Sequence, residues 1–158
     1  MNAELTEKLA QLLRERRTAA LGTLRDGAPF VSMVPYAIAA DGSGFLVHVS
    51  KLAAHTKDML ADTRVSLLVA EAEGEGKSPL GLMRATVQGQ ARRIPSGSNG
   101  HPGFKATYLA RFPDAEPMFD FSDFSIFLIR PVSARFVAGF GEAHSLSGET
   151  LAQLLQQR

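Results

Sequence analysis

The chain has 158 residues, with 17 basic and 16 acidic side chains, a formal charge of +1, and 45% hydrophobic residues. That is material for one domain with a proper core, and the interspersed charges form no basic patch of the kind that tracks a nucleic-acid backbone. Cysteine is absent, which excludes disulfides, thiolate metal sites and cysteine nucleophiles.

The N-terminal residues are polar and lack a signal-peptide core, and no run reaches the ~18–20 apolar residues of a membrane span. A soluble cytoplasmic protein without membrane contact is therefore the expectation. Residues 3–16 place Leu5, Leu9, Leu12 and Leu13 at helical spacing, an amphipathic helix. Thr18 to Leu24 is small and apolar, and Asp26-Gly27 is a hairpin signal. Residues 29–38 alternate as one strand, with Ser32, Val34 and Tyr36 on one side and Val31, Met33 and Pro35 on the other. Pro35 marks an edge or a bulge.

A third strand is expected over 45–50, a helix over 52–61 and a strand over 64–70. After a glycine-rich polar loop at 71–79, residues 80–94 read as one long strand bent at Gly89. A breaker cluster at 95–103 precedes a short helix at 104–111 and an irregular connection at 114–123. Strands at 124–130 and 133–140 lead to a final helix over 147–157, capped by Ser147. Short strands with helices at the ends and in insertions predict a single mainly β (α+β) domain over 1–158, an antiparallel barrel at 18–140 with peripheral helices.

The junction after the third strand carries Ser50, Lys51, His55, Thr56 and Lys57. A helix N-terminus presents unpaired N–H groups and partial positive charge, and hydroxyl and cationic side chains on the same turn suit a phosphate. Ser50 reads either as a helix cap alone or as a cap that also meets the phosphate. Lys51 and Lys57 read as solvated charges, and Arg64 as the partner of Asp58 or of Asp62.

The segments Ser50–Thr56 (Ser-Lys-Leu-Ala-Ala-His-Thr), Arg64–Leu68 (Arg-Val-Ser-Leu-Leu), Arg84–Gly89, Tyr108–Ala115, Phe121–Phe124 and Val137–Ala143 occur in an order that resembles the FMN-binding split barrels related to pyridoxamine 5'-phosphate oxidase. Within them it looks most like the heme-utilisation branch, and the match covers most of residues 14–145. The resemblance implies a Greek-key split barrel that forms a homodimer with FMN in the grooves between subunits. It puts phosphate contacts on Ser50, His55 and Thr56, with Val49 and Leu52 beside them. Met33 and Val34 would lie along the flavin ring, and Arg84 and Ala85 near its polar edge. The familiar oxidase has two basic residues where this chain has Ala54 and His55, which implies a weaker phosphate grip. Its C-terminal Arg-Leu-His-Asp-Arg motif is replaced here by Phe140–Ser145, so vitamin B6 oxidation is not expected.

Met33, at a strand centre, reads as core or as flavin wall. Arg84 and Gln88 share a face that is either a polar groove or solvent-exposed. His48 is assigned no role, and His101 reads as a loop residue. His144 is a candidate heme ligand, since histidine ligates heme iron. No acidic cluster has metal-ligand spacing, and no catalytic triad is present. The leading expectation is an FMN-binding oxidoreductase of unknown substrate. A heme-binding or heme-degrading protein on the same barrel is the first alternative, and a cofactor-free dimeric stress-response protein the second.

Overall fold

Asp26 and Gly27 both adopt positive φ, 51° and 79°. The pair closes a two-residue hairpin between β1 (Thr18–Arg25) and β2 (Ala28–Pro35), with Arg25 opposite Ala28. The computed structural model describes residues 1–156. Gln157, at the end of the expected C-terminal helix, lies outside the described residues. Before the hairpin, α1 (Ala3–Glu15) is capped by Asn2, whose Oδ1 accepts the Leu5 N–H at 2.9 Å, and it buries Leu5, Leu9, Leu12 and Leu13.

The remaining elements are β3 (Ala37–Ile38), β4 (Phe45–Ser50), α2 (Ala54–Ala61), β5 (Arg64–Ala70), β6 (Arg84–Ile94), α3 (His101–Arg111), β7 (Phe124–Gly139), β8 (Glu142–Ser147) and α4 (Gly148–Gln156). One antiparallel sheet joins the strands in the order β2-β1-β5-β6-β7-β4-β3, with β8 added on β7. β2 and β3 therefore stand at opposite ends of the strand order although only Tyr36 separates them in the chain. This curls the sheet into a split barrel.

The single strand expected over 29–38 is thus two strands. Tyr36 makes the break, donating its N–H to the Arg17 carbonyl at 3.1 Å and its hydroxyl to the Leu13 carbonyl at 2.6 Å. The strands expected at 124–130 and 133–140 are one, β7. The register runs from Gln88–Ser133 to Gly89–Pro131, leaving Val132 as an extra bulged residue. The bulge lets a proline sit inside a sheet. β8 was not expected; its turn is made by Phe140 and Gly141, the latter with φ 79°. The long strand begins at Arg84 rather than residue 80, because Pro79–Gly81 forms a 3-10 turn. His101 opens α3 instead of lying in a loop, with Pro102 in the first turn, where its missing N–H costs nothing.

Two apolar clusters result. The barrel interior packs α1 and α4 against residues such as Leu21, Phe45, Leu67, Val87 and Phe136. A second cluster, outside the barrel, joins Leu46, Ile126 and Leu128 to Tyr108 and Phe119 under α3. β4 is buried on both faces for this reason, which explains its unbroken apolar run. No described helix is long and apolar enough to cross a membrane.

Gly89 sits at the bulge with no room for a side chain: a Cβ there would lie 2.6 Å from the Arg130 carbonyl oxygen. Gly89→Ala is expected to destabilise by about 1–3 kcal/mol, the cost of overpacking against atoms that cannot yield. Urea unfolding measures it, and an unchanged midpoint would contradict the close approach.

Candidate functional site

At the β4–α2 junction the Ser50 hydroxyl donates to Asp123 Oδ2 at 2.7 Å and accepts the Leu52 N–H at 3.1 Å. This local turn uses up Ser50, so the helix starts at Ala54, after Ala53, with no side-chain cap. Ser50 is therefore not the helix cap that its position suggests. A phosphate brought to its hydroxyl would face the Asp123 carboxylate, a like charge.

His55 lies in the first turn of α2, with Nδ1 3.0 Å from Ser32 Oγ. Burial pushes its pKa below the ordinary histidine value, against a smaller opposing effect of Asp58, so the ring is neutral at physiological pH. Thr56 is 1% exposed, and its Oγ1 has no partner among the described residues. Val49 is buried in the barrel core, whereas Leu52 is 81% exposed. The residues expected to hold a phosphate are thus neighbours, but Ser50 and His55 are each engaged by another side chain, and the unpaired Thr56 hydroxyl is buried.

The anchor of this corner went unrecognised in the sequence. Asp58 is buried and takes both Arg25 Nε and Nη2, at 3.1 and 3.3 Å, and the Thr23 hydroxyl at 2.8 Å. The Arg25 guanidinium also lies over Phe30, 3.9 Å from the ring centre. Asp58 is therefore not available to Arg64, which pairs with Asp62 at 2.6 Å. The only sequence signal was Arg25 beside the hairpin turn, which reads equally well as a solvated charge.

The second feature is the outer face of the sheet. The register aligns Met33, Ala20, Leu68, Thr86, Arg135 and Ser145 in one row across β2, β1, β5, β6, β7 and β8. Val31, Gly22, Ser66, Gln88, Ser133 and Ser147 form the next row. Successive residues of a strand point to opposite faces, so both rows face outward. The β2 side is apolar: Met33 is 66% exposed, Val31 65% and Leu68 41%, around a shallow hollow of about 460 Å³. The β6–β8 side is polar, with Ser133 donating to Gln88 at 3.1 Å and Arg135 to Ser145 at 3.1 Å. Arg84, at the start of β6, donates to the carbonyls of Leu82 and Leu80 at 3.0 and 3.4 Å. Met33 is therefore not a core residue.

Val34 and Ala85 are 1% and 0% exposed and point into the barrel, so they give the opposite face no side chain. His144 pairs with the buried Phe136 and shares its inward side of the sheet. It lies at the β8 edge, half-buried, with Nε2 3.4 Å from Glu142 Oε1. Within one chain, Met33 and His144 stand on opposite faces. No group of three or more potential metal ligands occurs among the described residues.

A family model described as pyridoxamine 5'-phosphate oxidase matches residues 5–138, and the chain belongs to that family. Its relatives put it in the heme-utilisation branch. It is 40% identical to the chloroplastic non-canonical heme oxygenase HOZ of Arabidopsis thaliana over 78% of this chain and 36% of the plant protein. It is 27% identical to heme oxygenase HutZ of Vibrio cholerae over 98% of this chain and 88% of HutZ. Among solved structures, a heme binding protein from Mycobacterium smegmatis superposes with a TM-score of 0.86 at 27% identity, covering 97% of this chain and 62% of that one. The chain therefore spans only about a third of the plant relative's length.

The Asp58 carboxyl is held below its ordinary value, first by the hydrogen bonds from Arg25 and also by that from Thr23. A depressed carboxyl stabilises the fold above the unfolded-state value and loses that contribution as pH falls through the folded-state value. Asp58→Asn is expected to lower the urea midpoint near neutral pH, with the gap from the parent closing as pH drops below about 4. A gap independent of pH would mean that the ion pair does not tie α2 to the hairpin.

Proposed function

We propose that this protein binds heme on the outer face of its sheet, in a groove between two copies of the chain, and serves in heme degradation. The observation that carries the reading is the contiguous exposed apolar surface of Val31, Met33 and Leu68, continued by a polar surface bearing Arg135 and Arg84. A porphyrin is a flat apolar disc with carboxylates at one edge, and such a surface matches both parts. The names of the relatives, heme oxygenases and a heme binding protein, support the same reading.

Bound heme supplies the redox chemistry; the protein supplies position, electrostatics and control of water. Met33 and Leu68 would wall one face of the disc, and Arg135 and Arg84 would offer guanidinium groups to its carboxylates. Of the four histidines, His48 is stacked in the second cluster, His55 is bonded to Ser32, and His101 lies in α3. His144, at the β8 edge, would be the candidate iron ligand. Because His144 and Met33 stand on opposite faces of one chain, a heme that met both would have to lie between two copies, which would make the homodimer part of the site. FMN is the weaker reading despite the family's chemistry, because Ser50 is engaged by Asp123 and His55 is neutral.

Hemin titration followed by visible absorption tests the proposal. A Soret band saturating near one heme per chain is expected, and Met33→Glu, which puts a charge in the apolar wall, should weaken binding at least about tenfold, or ~1.4 kcal/mol. His144→Ala should displace the Soret maximum. Retained flavin absorbance without a hemin response would restore FMN; no response to either ligand would favour the cofactor-free reading.

A further inference from the structure

At the β4 end of the sheet, outside the barrel, α3 and the 3-10 segment Pro113–Asp120 close over a second polar feature unrelated to the heme face. The His48 ring lies flat on Phe119, with centroids 3.8 Å apart and 7° between planes, and the edge of Tyr108 meets it at 5.7 Å. The residue is only 9% exposed, yet its ring takes part in no hydrogen bond with a described residue. The ring nitrogens are not sealed from the surface; they open onto an adjoining cavity, where water or a ligand meets them.

The ring borders a cavity of about 200 Å³ that also receives Arg93, His101 and Lys105, with Asp120 as its acidic member. Arg93 uses Nε on Ser125 Oγ at 3.2 Å, leaving its terminal nitrogens free among the described residues. The Lys105 ammonium sits 5.1 Å from the centre of the Phe119 ring that stacks on His48. The N-terminus of α3, an 11-residue helix, opens at His101 beside them.

We infer that this cavity binds the phosphoryl group of a small phosphomonoester, held by Arg93, Lys105 and the ring N–H of His48. Two cations with a helix N-terminus match a dianion. They oppose a divalent metal, which two histidines alone would otherwise invite. Burial, reinforced by the charges of His101 and Lys105, pushes His48 down to about 4, so at neutral pH the ring is an uncharged donor and acceptor. Because no heme-face residue takes part, the inference stands apart from the proposed function.

The probe is inorganic phosphate, titrated at constant ionic strength into the full chain labelled with nitrogen-15, with chloride as control. Saturable shifts are expected for the His48 ring and the Gly103 amide, and not with chloride. Arg93→Gln with Lys105→Gln, both changes at the surface, should weaken the response at least tenfold. His48→Phe keeps the stacking and should abolish the saturable shift at Gly103. Hemin binding should be the same in all of these variants. The inference is overturned if phosphate gives no saturable shift or one that the variants leave intact, if zinc rather than phosphate saturates His48, or if phosphate instead moves Ser50–Thr56, which would return the phosphate to α2.

Discussion

The two-residue alternation of side chains, carried on the strand register from β2 through β1, β5, β6 and β7 to β8, is the constraint on which this molecule depends. It sends Leu21, Leu67, Val87 and Phe136 into the barrel and leaves Met33, Leu68, Thr86 and Arg135 outside. A slip of one residue would exchange the two sets. The same rule separates residues that the chain places side by side. Met33 and Val34 are neighbours on opposite faces, as are Arg84 and Ala85.

Much of the fold was legible for that reason. The alternation in β2, the Asp26-Gly27 turn, the leucine stripe of α1 and the Gly89 bend are local signals with local causes. What stayed hidden is non-local. Nothing around Tyr36 announces that its two flanks belong to opposite ends of the sheet. The bulge at Val132 looks, in sequence, like a gap between two strands. β8 is short and polar, and only its pairing with β7 makes it a strand.

The site was legible in part. At the β4–α2 junction, Ser50 and His55 are committed to side chains outside it. Asp123, distant in sequence, takes the Ser50 hydroxyl, and Asp58 takes Arg25. Such pairings depend on tertiary placement, and a single sequence does not carry them. The apolar outer face was equally invisible, because an exposed methionine and a buried one look alike until the register is known. His48 was assigned no role, because nothing local shows that it lies under Phe119 at the border of a cavity.

Family membership gives the barrel, and a fold does not by itself fix its chemistry, which has to be argued from surfaces. Here the surface best suited to a cofactor is flat and apolar at one end and basic at the other. The most direct test is carbon-13 methyl NMR of the full chain during addition of hemin, whose paramagnetic iron broadens nearby signals. Heme on the outer sheet face predicts early loss of the Met33, Val31 and Leu68 methyl resonances, with the interior Leu21 and Val87 signals persisting longer. Broadening centred on α2 or α3, with the Met33 methyl still sharp at one equivalent, would contradict it.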